Sequence, residues 1–126
     1  MKKVILALVA CSALTFASET TIDATMKLMK QGMDQIQSGF MYNSKDDIKR
    51  GIETVQNADA IFKHVKVSEF MKSQKTTVAK NINKNLSKDL KALQKAVESS
   101  KYSDATKEYG KVLNDCLSCH TIIRGW

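Results

Sequence analysis

Apolar residues recur along this chain at steps of three and four, the period of a helix that buries one face. Between residues 20 and 41 they fall at Ile22, Met26, Met29, Met33, Ile36 and Phe40, a heptad-like stripe that ends near Gly39 and Asn43-Ser44. A second stripe follows at Ile48, Ile52, Val55, Ala58, Phe62 and Val65. Ser44 suits its N-cap, Asp46 and Asp47 stand in the first turn where the helix dipole favours negative charge, and the helix closes near residues 64–66. A third begins at Ser68 with Glu69 behind it, turns Val78, Ile82, Leu86, Leu90, Leu93 and Val97 inward, and stops at Ser99-Ser100. The fourth opens at Ser103-Asp104, carries Tyr109, Val112, Leu113, Cys116, His120 and Ile123 on one side, and ends before Gly125. The connections are short, so sequence neighbours should run antiparallel. The expected fold is all-α, an antiparallel up-down-up-down four-helix bundle.

Composition reinforces this reading. There is no proline in 126 residues and only five glycines. A sheet protein would need more turn residues and more β-branched and aromatic positions. The chain starts differently from the way it continues. Met1-Lys2-Lys3 is basic, Val4 to Ala17 is almost wholly apolar, and polar sequence follows at once. That is the pattern of a secretory signal peptide over residues 1–17, too short to span a bilayer, with one domain over 18–126. Leu8-Val9-Ala10-Cys11 also resembles a lipoprotein cleavage box, and lipidation of Cys11 would tether the same domain to a membrane.

Removing residues 1–17 takes two lysines and lowers the net charge from +7 to +5. The lysines are scattered over helical faces without interleaved aromatics, which argues against nucleic acid as a partner. They suit a solvated surface or steering toward an acidic partner protein.

Two cysteines then remain, in Cys116-Leu117-Ser118-Cys119-His120. A disulfide between cysteines so close would close a tiny loop and stabilise little. Cys-x-x-Cys-His is the spelling of covalent haem attachment. On a helix, residues i, i+3 and i+4 share one face, so two thiols can meet two vinyl groups while the imidazole reaches the iron. A thioredoxin-like pair would sit at a helix N-terminus beside a βαβ unit, and zinc would need a fourth ligand where only His64 remains. The expected cofactor is a single haem c, held by Cys116 and Cys119 with His120 as axial ligand. Arg124, four residues on, stands either beside the haem or simply at a favourable helix C-terminus. The other axial position is open between one of Met26, Met29 and Met33 and no protein ligand, with His64 as a rival.

With the motif late in the fourth helix and an Arg four residues after its His, the chain resembles the class II c-type cytochromes, the cytochrome c-prime family. The resemblance spans residues 18–126. It implies a bundle with haem near the C-terminus. The low-spin branch uses a methionine of the first helix, and Met26-Lys27-Leu28-Met29-Lys30 is similar to that stretch, which points to Met29. High-spin members lack that ligand and bind nitric oxide or carbon monoxide. The chain departs from the family in being short and in lacking a Pro-rich, aromatic insertion after the second helix.

These readings converge on a periplasmic electron carrier, with a five-coordinate gas-binding protein as the alternative and a haem-bearing subunit of a larger oxidoreductase as a third. An independent enzyme is not expected: no nucleophile stands with converging carboxylates and no glycine-rich phosphate loop is present. Redox partner proteins with acidic docking surfaces are implied, and dimerisation through a bundle face stays open.

Overall fold

A computed structural model describes the backbone of residues 2–65 and 73–124 and the side chains of 21–65 and 75–123. Four helices lie among the described residues: α1 (Lys2–Met41), α2 (Lys45–Lys63), α3 (Ser73–Glu98) and α4 (Tyr102–Arg124). Among the described residues there is no strand, and no helix is long and apolar enough to cross a membrane. The protein is all-helical, with four helices consistent with a bundle. The backbone of α1 runs without a break from residue 2, through the stretch expected to be processed. The expected start of the third helix at Ser68 lies outside the described residues.

Two helix ends are built alike and neither uses glycine. After α1, Asn43 takes φ 54° and the Ser44 amide donates to the Gly39 carbonyl at 2.8 Å. After α3, Ser100 takes φ 54° and the Lys101 amide donates to the Ala96 carbonyl at 2.9 Å. Both are Schellman closures, in which one left-handed residue turns the chain back onto carbonyls the helix leaves open. Ser44 then serves the next helix as well, its Oγ accepting from the Asp47 amide at 3.3 Å. That serine and Arg50 together hold the Asp47 carboxyl below its ordinary range. The ammonium of Lys45 donates to the Glu98 carbonyl at 3.2 Å and to Ser100 Oγ at 3.1 Å, so the two turns lie side by side.

The α1–α2 contact depends on absent side chains. A Cβ on Gly51 would stand 2.6 Å from the Gly32 carbonyl oxygen and 2.7 Å from the Ile36 amide nitrogen. One on Gly32 would meet Val55 at 2.6 Å, and one on Gly39 would meet Ile48 at 2.6 Å. Backbone therefore lies almost on backbone. Further along, Met29 packs with Ala58 and Phe62. Besides this pair, α3 packs on α4 and α2 on α3, while α1 and α4 meet at Phe40 and Tyr109 and otherwise flank a groove.

The main core gathers Ile36, Ile48, Ile52, Val55, Leu90, Leu93, Val97, Ala105 and Val112, all nearly solvent-free. Most of the expected stripe residues are inside, but Val78 is 42% exposed and Thr76 and Ala79 take the inward positions instead. The rotation of α3 is fixed by Leu86, Leu90, Leu93 and Val97 further along. Counting back from them at the helical period reaches 79 and 76 rather than 78. Leu113 and Ile123 are also partly exposed, at 40% and 39%.

Substituting Gly51 by Ala forces a methyl against backbone that cannot yield and should destabilise by roughly 1–3 kcal/mol. Gly110→Ala, at a helical site with nothing within 4 Å, should stabilise by about 0.5–1 kcal/mol. Urea midpoints of the two variants, measured in the same cofactor state, check both signs.

Candidate functional site

The helical spacing that puts Cys116, Cys119 and His120 on one face of α4 turns all three into the groove between α4 and α1. On the opposite wall the stripe of α1 presents Met26, Met29 and Met33. Phe62 of α2 and Ile82 and Asn83 of α3 complete the interior, and Lys30, Asp34 and Gln37 form a polar margin. The groove encloses about 970 Å³ of empty space, the part open to solvent included. Six residues singled out in the sequence thus share one cavity. His64 does not join them: it is exposed at the C-cap of α2. Arg124 ends α4, and its side chain lies outside the described residues.

Met33 belongs to the main core, Met29 is 8% exposed in a smaller cluster with Ala58 and Phe62, and Met26 packs against that cluster. The methionines therefore fill core space and line the groove at once. Cys116 likewise packs against the main core. Tyr109 closes the groove on the core side, its ring 5.7 Å from that of Phe40 and inclined at 54°.

Neither cysteine is in a disulfide. Burial, with the Asp115 carboxyl adding to it, pushes the Cys116 thiol up to about 11, and burial also raises Cys119. Both are neutral thiols near pH 7. A redox Cys-x-x-Cys works through a thiol whose pKa is lowered, so this environment is the opposite of a dithiol catalyst's.

The last turn of the site is held from α3, where the Lys75 ammonium donates to the Ile122 carbonyl at 2.9 Å. That carbonyl lies in the last described turn of α4, where a donor from another helix is favourable.

Two polar features beside the groove escaped the sequence reading. Asp59 of α2 is 3% exposed and accepts from Asn83 Nδ2 at 2.5 Å, Ser87 Oγ at 2.7 Å and Lys63 Nζ at 2.8 Å. A buried carboxylate is tolerable when it is matched in this way. The Asn83 amide gives its NH₂ to Asp59, which leaves its carbonyl oxygen for other partners. The signal was present in the sequence: 52, 55, 59 and 62 continue a 3-4-3 stripe, and 79, 83 and 86 do the same on α3. The second feature is Asp115, 9% exposed, with Oδ2 buried and without a hydrogen-bond partner. Burial first, then the facing Asp89 carboxyl, raises it to about 6.

Among the described residues no three His, Cys, Asp or Glu side chains converge to hold a metal ion. No family model, no curated protein and no solved structure matches the chain.

The raised Asp115 carboxyl fixes a sign. The folded protein holds this proton more tightly than the unfolded chain, so stability from this group is greatest below about pH 4 and falls as pH rises toward 6. The parent should lose about 1 kcal/mol between pH 5 and 7 relative to Asp115→Asn. Paired denaturation curves at the two pH values measure it, and equal pH dependence in both proteins would contradict the shift.

Proposed function

We propose that the protein is an exported c-type cytochrome of the class II kind, an electron carrier of the periplasm. The observation that carries this reading is the groove itself, where the Cys116, Cys119 and His120 face of α4 looks across to Met26, Met29 and Met33 of α1. Two neutral thiols, one imidazole and largely apolar walls suit a covalently held haem c. Cys116 and Cys119 would hold the group by thioethers, and His120 would be its axial ligand. When bound, haem supplies one-electron cycling between ferrous and ferric iron.

The chain's own part is to fix potential and access. Met29 would be the sixth ligand in this reading, with Met26 or Met33 as alternatives, since all three line the groove. A thioether ligand and largely apolar walls both favour the ferrous state. Asn83, pinned by Asp59, is the groove's one amide fixed from within the protein. Lys30 at the margin pairs with Asp34 at 2.5 Å and adds a cation beside the opening. Arg124 would contribute another at the end of α4.

The up-down-up-down, antiparallel arrangement belongs to the same proposal. It is supported by the order of contacts, in which Gly39, Gly32 and Met29 meet Ile48, Val55 and Phe62 in turn. Lys45, joining the α1–α2 and α3–α4 turns, supports it too. Export rests on residues 1–17, and membrane attachment follows only if Cys11 is lipidated. The lysine surface would steer docking to acidic redox partners, an attraction that weakens with salt.

Optical spectra of the purified haem protein test the assignment. The expected result is a sharp low-spin ferrous spectrum, unmoved by carbon monoxide in the parent, with gas binding appearing in Met29→Ala. Cys116→Ala with Cys119→Ala should yield protein whose haem is lost to acidic organic solvent. A parent that is high-spin and shifts at once with carbon monoxide would replace the carrier with a gas-binding protein. No haem absorption after production with working attachment machinery would end the proposal.

A further inference from the structure

The groove carries an unusual donor set for a second reason. Three thioethers on α1 face two thiols and an imidazole on α4, and five of these six donors are sulfur. Anionic oxygen is scarce: Asp34, the one carboxylate of the lining, is engaged by Lys30, which leaves only the neutral oxygens of Gln37, Asn83 and Tyr109. No convergence of three His, Cys, Asp or Glu side chains occurs among the described residues. A hard cation such as magnesium or calcium has no cage here, and a tetrahedral thiolate–imidazole site for zinc is not assembled. An ion that accepts thioether sulfur can draw on both walls. Among biological metals that is above all Cu(I), which is soft and which thiolate and thioether ligands select. Methionine side chains are unbranched and adaptable, so those of α1 can turn to an ion held by α4.

We infer that, whenever Cys116 and Cys119 are free thiols, the groove binds one Cu(I) ion through those cysteines and at least one methionine of α1. Copper stays Cu(I) throughout. Each cysteine that binds forms a Cu–S bond and gives its S–H proton to solvent, so affinity rises with pH. Covalent haem consumes the same two sulfurs, so copper and haem exclude each other. The copper site itself stands on the sulfur donors and holds whether or not haem is the groove's natural occupant.

The test uses the full chain made without haem-attachment machinery and kept reduced, with Cu(I) supplied from its bathocuproine disulfonate complex. The expected result is one Cu(I) per chain and more than two sulfur neighbours by X-ray absorption. Met26→Leu, Met29→Leu and Met33→Leu together should weaken binding at least tenfold. Leucine nearly conserves volume, and circular dichroism verifies that the helices persist. Cys116→Ser with Cys119→Ser should weaken it at least a hundredfold. Equal affinity in the leucine variant, or a sulfur count of two, would show an ordinary dithiol and overturn the inference. So would failure of the parent to take copper from the chelator. Haem-loaded protein that still bound Cu(I) with parental affinity would overturn it as well. Attachment of haem is read separately by its absorption, so either assignment can fail without the other.

Discussion

The close approach of α1 and α2 is the constraint on which the rest of the molecule turns. Gly32, Gly39 and Gly51 let two backbones come within a distance no side chain would permit. With α1 drawn onto α2, and α4 bound to α3, a groove is left between α1 and α4 beyond the Phe40–Tyr109 contact. The Schellman turns at Asn43 and Ser100, linked by Lys45, clamp one end. The main core fills that end. Toward the other end, apolar density thins to the small cluster of Met29, Ala58 and Phe62, and the groove begins. A cavity with sulfur on both walls follows from where the glycines stop and the methionines continue.

Polar groups near the groove are handled in two contrasting ways. Asp59 is matched by Asn83, Ser87 and Lys63, so its burial orders the side chains around it. Asp115 is given no such set. Facing Asp89 in a dry setting, it gains proton affinity instead. The first arrangement ties α2 to α3, because the buried Asp59 carboxyl accepts from Asn83 and Ser87 across the two helices. The second costs stability at neutral pH, directly beside Cys116, and contributes to the neutral character of that thiol.

That neutrality separates the readings of the Cys-x-x-Cys pair. Thiols held protonated by burial are poor nucleophiles for exchange, but they are ready to be made permanent as thioethers or to give up their protons to a soft metal. Both uses draw on the methionine wall, where a flexible thioether can serve as packing until an iron or copper centre claims it. The proposals share one physical premise: the groove is apolar enough to exclude hard ions and rich enough in sulfur to hold soft ones.

Features that depend on residues within about one helical turn were legible in the sequence. Four helices, the Ser44 cap, the turn at Asn43-Ser44 and the shared face of Cys116, Cys119 and His120 all follow from spacing along a single helix. These are local geometry, and the 3.6-residue period sets them before any packing occurs. What tertiary structure alone decided is which faces meet. It rotated α3 so that Val78 is exposed and Asn83 reaches Asp59, and it set Met26, Met29 and Met33 opposite a motif far along the chain. The stripes at Asp59 and Asn83 were visible as periods but not as a pair, because partners on different helices carry no fixed spacing. Their match depends on helix rotation and approach, which the glycine contacts and the packed core settle only once all four helices are in place.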